Sequence, residues 1–169
     1  MGKKLLILGA GGHGRVVREI ALSLNYEKVD FLDDSSGEAL GKIEDLEKLG
    51  SKYSDVFCGI GNNTIRKALL EKVENLGFSI PILIHPTAYI SPSAMIEKGT
   101  VVEPKAIVNT NSIVKKGCII SVGAIVDHDV IIEDYTHINA GAICKAGSHI
   151  RDEYRLDAGK VYQYDRELS

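Results

Sequence analysis

Three short stretches of this 169-residue chain carry residues whose types and spacing could do chemistry. The first is Gly9-x-Gly11-x-x-Gly14, which ends an apolar run and is followed by Asp33, 19 positions beyond Gly14, and Asp34. Backbone N–H groups in such a loop either face a pyrophosphate at the positive end of a helix or simply let strand and helix pack closely. Within it, His13 either hydrogen-bonds a ligand or meets solvent at the helix start, alongside Gly11 and Gly12. Asp33 and Asp34 either accept from a ribose or base, or cap the following turn. The second stretch is Gly61-Asn62-Asn63, placed where open parallel sheets bind ligands and also suited to capping the next helix. The third is Val126-Asp127-His128-Asp129. Flanking carboxylates there would orient the imidazole, favour its protonated form and strengthen it as a general base; the alternative is a polar surface corner with no task.

Elements of two kinds must position these residues. Residues 3–8 read as a buried parallel strand, and Val16, Val17, Ile20, Leu22 and Leu24 as the apolar face of an amphipathic helix. A second strand runs from Val29 to Leu32, a short helix from Glu44 to Leu49, a third strand from Asp55 to Ile60, and a helix from Asn63 to Leu76 closed by Gly77. This β-α-β-α-β-α order implies a small parallel α/β domain over residues 1–80. Ser79 to Ile84 reads as a fourth strand or a linker, with Pro81 favouring an edge. A nicotinamide dehydrogenase needs a second mononucleotide half, for which some 80 residues leave no room, so hydride chemistry is disfavoured.

From Ile84 onward the helical period gives way to a period of six. Ile84, Ile90, Ile96, Val102, Val108, Val114, Ile120, Val126, Ile132, Ile138, Cys144, Ile150 and Leu156 are Ile, Val or Leu in twelve of thirteen places. Four residues after these positions the side chain is usually small, as at Ala106, Ala124 or Ala142, and often preceded by glycine, as a tight corner requires. A six-residue unit cannot bury its own aliphatic side chain, so residues 81–169 are expected to stack as a solenoid with three hexads per turn. Residues just before the ladder (Ile107, Ile119, Ile125, Ile143) should point outward and imply burial by another subunit. His137 and His149 share that offset, His137 near the interface and His149 at the surface.

Composition narrows the class further. Lys and Arg number 20 against 23 Asp and Glu, a net charge of −3 that gives no electrostatic reason for nucleic-acid binding. The start, MGKKLLILGAGG, offers too short an apolar run for a signal peptide or a membrane span, which predicts a cytoplasmic protein with no membrane partner. Three cysteines without CxxC spacing predict neither disulfides nor a zinc site, and Cys118 and Cys144 read as inert core thiols.

Taken together, GAGGHGRVV, FLDD, GIGNNTIR, the hexads and DHD…HINAGA resemble the bacterial nucleotide-sugar acetyltransferases, which include UDP-4-amino-sugar N-acetyltransferases and sialic acid O-acetyltransferases. The resemblance extends to about Ser148. It implies a Rossmann-like domain followed by a left-handed parallel β-helix, the handedness coming from the resemblance alone. It implies a UDP-amino-sugar held through Gly11, Gly12, His13, Asp33, Asp34 and Gly61, and His128 as general base supported by Asp129. It further implies acetyl-CoA as co-substrate, contacted by His137 and by Ala146 at the Ala146-Gly147 corner, with oxyanion-stabilising amides near Gly141, and a homotrimer. Related hexapeptide proteins that hold zinc use His-x4-His, whereas the gaps here are nine (His128 to His137) and twelve (His137 to His149), so no metal is expected. The segment RDEYRLDAGKVYQYDRELS departs from the family's longer closing coils, which predicts a weakened acetyl-CoA groove. The alternative is a nucleotide-sugar-binding or structural trimer that no longer acylates.

Overall fold

Leu5, Leu6, Ile7 and Leu8 are all fully buried, because a central parallel strand has no solvent face on which polar residues could alternate. They lie in β1 (Lys4–Leu8), which pairs in parallel with β2 (Lys28–Leu32) on one side and β3 (Asp55–Cys58) on the other. The computed structural model describes residues 2–162, and the chain divides into two compact units, Met1–Leu83 and Ile84–Ser169. In the first, α1 (Gly12–Ser23) follows β1, a 3-10 turn (Ile43–Asp45) runs into α2 (Leu46–Gly50), and α3 (Asn63–Asn75) follows β3. With the order β2-β1-β3, the chain leaves β1 and β3 on either side of the point where the winding reverses. Open sheets of this type bind ligands beyond the strands' carboxyl ends at that point.

The apolar face of α1 differs from the expected one. Gly14, Val17, Ile20 and Ala21 are buried, whereas Val16 and Leu22 are 37% and 49% exposed. The reason is Gly14: a Cβ there would lie 2.1 Å from the Gly9 carbonyl oxygen. That close approach fixes the helix rotation, and Val16 and Leu22 then fall more than about 100° away from the contact line. Ser79 contributes one bond to the sheet, accepting from the Val56 N–H at 2.9 Å, and the stretch to Ile82 is a linker rather than a fourth strand. The next strand, Leu83–Ile84, joins the solenoid.

The second unit is built of two-residue strands recurring every six residues, up to Val161–Tyr162. They stack into three parallel sheets of five, five and four strands. Partners in register are eighteen residues apart, as in Ile120↔Ile138, Val126↔Cys144 and Ile132↔Ile150. The ladder from Val102 to Leu156 is buried along its length, with Ala106, Cys118, Ala124, Val130 and Ala142 filling the corners.

From Gly99 to Gly159 each corner passes through the left-handed backbone region. Gly99, Gly117, Gly123, Gly141, Gly147 and Gly159 do so at φ between 64° and 73°, but so do Lys105, Asn111, Asp129, Tyr135 and Glu153, at φ between 50° and 59°. Glycine is therefore favoured at the corner without being obligatory, and the non-glycine corners accept about 1 kcal/mol or more of steric cost each.

The outward column is not uniform. On the sheet that includes Val101, Ile119 and His137, these residues are 0%, 0% and 8% exposed. On the neighbouring sheet Ile107, Ile125 and Ile143 are half-buried and Val161 is 42% exposed. Among the described residues no helix is long and apolar enough to cross a membrane.

Ile132→Ala, which empties a fully buried ladder position, is expected to cost about 2–5 kcal/mol in urea denaturation, and Ile131→Ala, at the adjacent half-buried position, clearly less.

Candidate active site and nucleotide loops

In the first unit, Gly11 is the N-cap of α1 with extended backbone (φ −70°, ψ −169°), and His13 is half-buried in the first turn. A Cβ at Gly11, Gly12 or Gly61 would meet nothing within 4 Å, so these three positions border open space. The other glycines of the motif serve packing instead. Gly9 has φ +101° and its N–H donates to the Leu32 carbonyl at 2.8 Å, while a Cβ on Gly59 would lie 2.7 Å from Gly14 Cα. The packing reading thus applies to Gly9 and Gly14, while Gly11 and Gly12 leave space beside the loop.

Asp33 acts as a brace. One carboxylate oxygen accepts the Ala10 N–H at 2.8 Å, and the other accepts the Ser35 and Ser36 N–H groups at 2.9 Å and the Ser35 hydroxyl at 3.1 Å. These bonds, the one from Ala10 first, hold its pKa below the ordinary carboxylate value. Asp34 accepts the Ile43 N–H at 3.0 Å. The turn-capping reading therefore describes what both aspartates do within the chain. Asn62 caps α3 by accepting the Ile65 N–H at 3.0 Å. Sequence reasoning missed Arg66, which is 1% exposed and donates to the Ile60 and Gly61 carbonyls at 3.3 and 3.1 Å and to Asn63 Oδ1 at 2.8 Å.

In the solenoid, His128 projects from the corner between the Ile125–Val126 and Ile131–Ile132 strands. Its Nδ1 lies 2.7 Å from Asp129 Oδ2, which leaves Nε2 as the outward nitrogen of a side chain 54% exposed. The bond to Asp129 chiefly, with the charges of Asp127 and Asp129, raises the imidazole pKa, and the same bond followed by one from Asn111 lowers that of Asp129. Asp127 has another job: its Oδ1 accepts the His128 N–H at 2.8 Å and the Asn109 side-chain amide at 3.2 Å. Asn111 donates to Asp129 Oδ1 at 3.3 Å. The two asparagines precede the two aspartates by eighteen residues each, a spacing that the hexads already contained.

Ala146 lies one coil above His128, at the same corner, and the Gly147 N–H donates to the His128 carbonyl at 3.0 Å. Among the described residues the Ala146 N–H has no acceptor within the chain. His137 is elsewhere. It lies on the sheet opposite this corner and its Nε2 is 3.0 Å from Ser121 Oγ, so one chain does not bring His137 and His128 together. The expectation of oxyanion donors near Gly141 needs correction as well: its N–H donates to the Val122 carbonyl at 3.0 Å, in the stacking ladder of a different corner. His149 pairs with Glu133 at 2.7 Å, and Lys115 bonds the other oxygen of Glu133 at 2.6 Å. All three cysteines are buried free thiols, with burial pushing Cys58 up to about 11 and Cys144 up to about 12. No cluster of three or more His, Cys, Asp or Glu side chains suited to a metal ion occurs among the described residues.

Such a corner, a solvent-facing imidazole oriented by a carboxylate beneath an open amide, belongs with proton transfer rather than covalent catalysis. Residues 4–73 match the PglD N-terminal domain family. The chain is 31% identical over 110 residues to UDP-N-acetylbacillosamine N-acetyltransferase of Bacillus subtilis (strain 168), a match covering 59% of this chain and 51% of that relative. It thus spans about half the length of that curated relative. The acetyltransferase domain of PglB from Neisseria gonorrhoeae FA1090 is similar at 40% identity with a TM-score of 0.91, over 95% of this chain and 82% of that one, and the same domain is known in complex with acetyl coenzyme A. A mutant of GDP-perosamine N-acetyltransferase from Caulobacter crescentus, solved with CoA and GDP-perosamine, is similar at 25% identity and TM-score 0.76, covering 98% of this chain and 90% of that one. The chain belongs to the nucleotide-sugar acetyltransferase family, with the small parallel α/β region and left-handed β-helix of that fold.

Because Asp129 is the main cause of the raised His128 pKa, Asp129→Asn is expected to move the His128 titration midpoint down toward the ordinary imidazole value, measured by NMR of the ring protons.

Proposed function

We propose that this chain transfers the acetyl group of acetyl-CoA to the amino group of a nucleotide-activated sugar, as part of bacterial glycan synthesis. The observation that carries the reading is the His128–Asp129 pair at 2.7 Å, with Nε2 outward below the open Ala146 amide. The amine nitrogen attacks the thioester carbonyl carbon as its proton passes to Nε2, the tetrahedral intermediate collapses, and the C–S bond breaks. The departing thiolate then takes the proton from the imidazolium. Asp129 holds Nδ1 in place and stabilises the positive ring. The Ala146 N–H is the donor we assign to the acetyl-CoA carbonyl or its oxyanion. Direct transfer fits the thiols, since buried groups with raised pKa make poor nucleophiles.

The sugar's nucleotide is assigned to the α/β unit, at the open space beside Gly11, Gly12 and Gly61, with His13 at its edge. Asp33 and Asp34 support those loops from within and contact the nucleotide at most through their remaining lone pairs. The relative from Bacillus subtilis is named for a UDP-linked amino sugar, which supports a UDP-sugar here. Three free thiols suit a reducing compartment, the cytoplasm. We further propose a homotrimer. The column Ile107, Ile125, Ile143 and Val161 stacks on one sheet and stays half-exposed in the single chain.

His128→Ala is expected to lower turnover by roughly 100- to 10,000-fold while nucleotide-sugar binding persists, and unchanged turnover would remove His128 from the mechanism. Acetyl-CoA titration of the wild type decides between the enzyme and a non-acylating binder: no binding at millimolar concentration, with the nucleotide sugar still bound, overturns acetyl transfer. Gly11→Val places its side chain in open space and should abolish nucleotide binding with little change in melting temperature. Ile125→Glu should dissociate the trimer in sedimentation, because each copy would bury an unpaired charge.

A further inference from the structure

The loop that follows β3 is shaped by a residue with no role in the chemistry above. Arg66, in the first turn of α3, is among the largest fully buried side chains of the chain. Burying a guanidinium is unfavourable compared with burying an aliphatic side chain of similar size, unless its donors are used. Here they are used on the loop: Nη1 donates to the carbonyls of Ile60 and Gly61, and Nη2 to Asn63 Oδ1.

The peptide plane turns this into a statement about the other side of the loop. In a trans peptide the C=O and the N–H of the following residue point in opposite directions. Two successive carbonyls drawn toward the buried guanidinium therefore turn the N–H groups of Gly61 and Asn62 away from it. Neither N–H donates a hydrogen bond among the described residues, and a Cβ on Gly61 would meet nothing within 4 Å. We propose that Arg66 is a positioning residue for nucleotide recognition: by clamping the Ile60 and Gly61 carbonyls inward, it aims the Gly61 and Asn62 N–H groups outward as a preformed donor pair for an oxygen acceptor of the nucleotide. This rests on the reading that the Gly61 loop borders the nucleotide site. Prearranged donors need no ordering when the ligand arrives, which is where such a brace acts on affinity.

The test combines binding, kinetics and NMR on the whole chain. Titration with UDP and with GDP should shift the amide signals of Gly61 and Asn62 in the wild type. Arg66→Met, which keeps the volume and removes the donors, should weaken nucleotide binding and raise the KM for the nucleotide sugar about tenfold or more. Turnover at saturating sugar and acetyl-CoA affinity should stay within about twofold. Arg66→Lys, able to reach one carbonyl, should recover part of the loss. A merely structural Arg66 would lower stability and leave KM alone, and that result overturns the proposal. So does nucleotide binding that leaves both amide signals unmoved, a readout that stands even where Arg66→Met fails to fold. Failure of the wild type to bind either nucleotide would overturn the nucleotide-site reading and this inference with it, whereas wild-type affinity in Arg66→Met overturns this inference alone.

Discussion

No coil of the solenoid satisfies its own backbone, and the His128 corner inherits its geometry from that fact. The Ile125 N–H donates to Ala142, that of Asp127 to Cys144, and that of Asn109 to Val126, each from one coil to the next. From Gly99 on, a left-handed residue at every sixth position helps the chain return over itself. At the His128 corner that residue is Asp129, whose N–H donates to the Thr110 carbonyl in the coil below. Asp tolerates this backbone better than most residues and also carries the carboxylate that His128 needs. The residue that makes the corner and the one that raises the imidazole's basicity are therefore the same.

Stacking also explains which parts of the site were legible in the amino-acid sequence. The ladder, the α/β order and the adjacency of His128 to Asp129 depend on local spacing, and local spacing is what periodicity reports. The separation of His128 from His137 was legible too, once the turn is known to take eighteen residues. A gap of nine is half a turn, which carries the chain from a corner to the opposite face. The brace of Asn109 and Asn111 beneath Asp127 and Asp129 follows from the same eighteen-residue step.

What the sequence hid was decided by contacts between distant segments. The rotation of α1 depends on how closely Gly14 meets Gly9, and a list of apolar positions contains Val16 and Leu22 as readily as Val17 and Ala21. Asp33 stands where a ribose-binding acid is expected, yet the Ala10 amide 23 residues earlier already occupies one of its oxygens. The Gly141 amide is taken up by the coil ladder. Arg66 reads as an ordinary charged helix residue until the loop closes over it.

The basicity of His128 is a compromise set by exposure. An imidazole whose pKa is raised, as that of His128 is, is a stronger base once neutral, but a smaller fraction is neutral at a given pH below that value, so on the proposed mechanism the rate rises as pH climbs through the raised pKa. A buried Asp–His pair would push the midpoint further and leave little neutral base near pH 7. At this corner both partners are more than half exposed, and solvent screens the pair. On the proposed mechanism, a substrate seated over the corner would remove part of that screening and strengthen the interaction of Asp129 with the imidazolium as the ring takes up the proton.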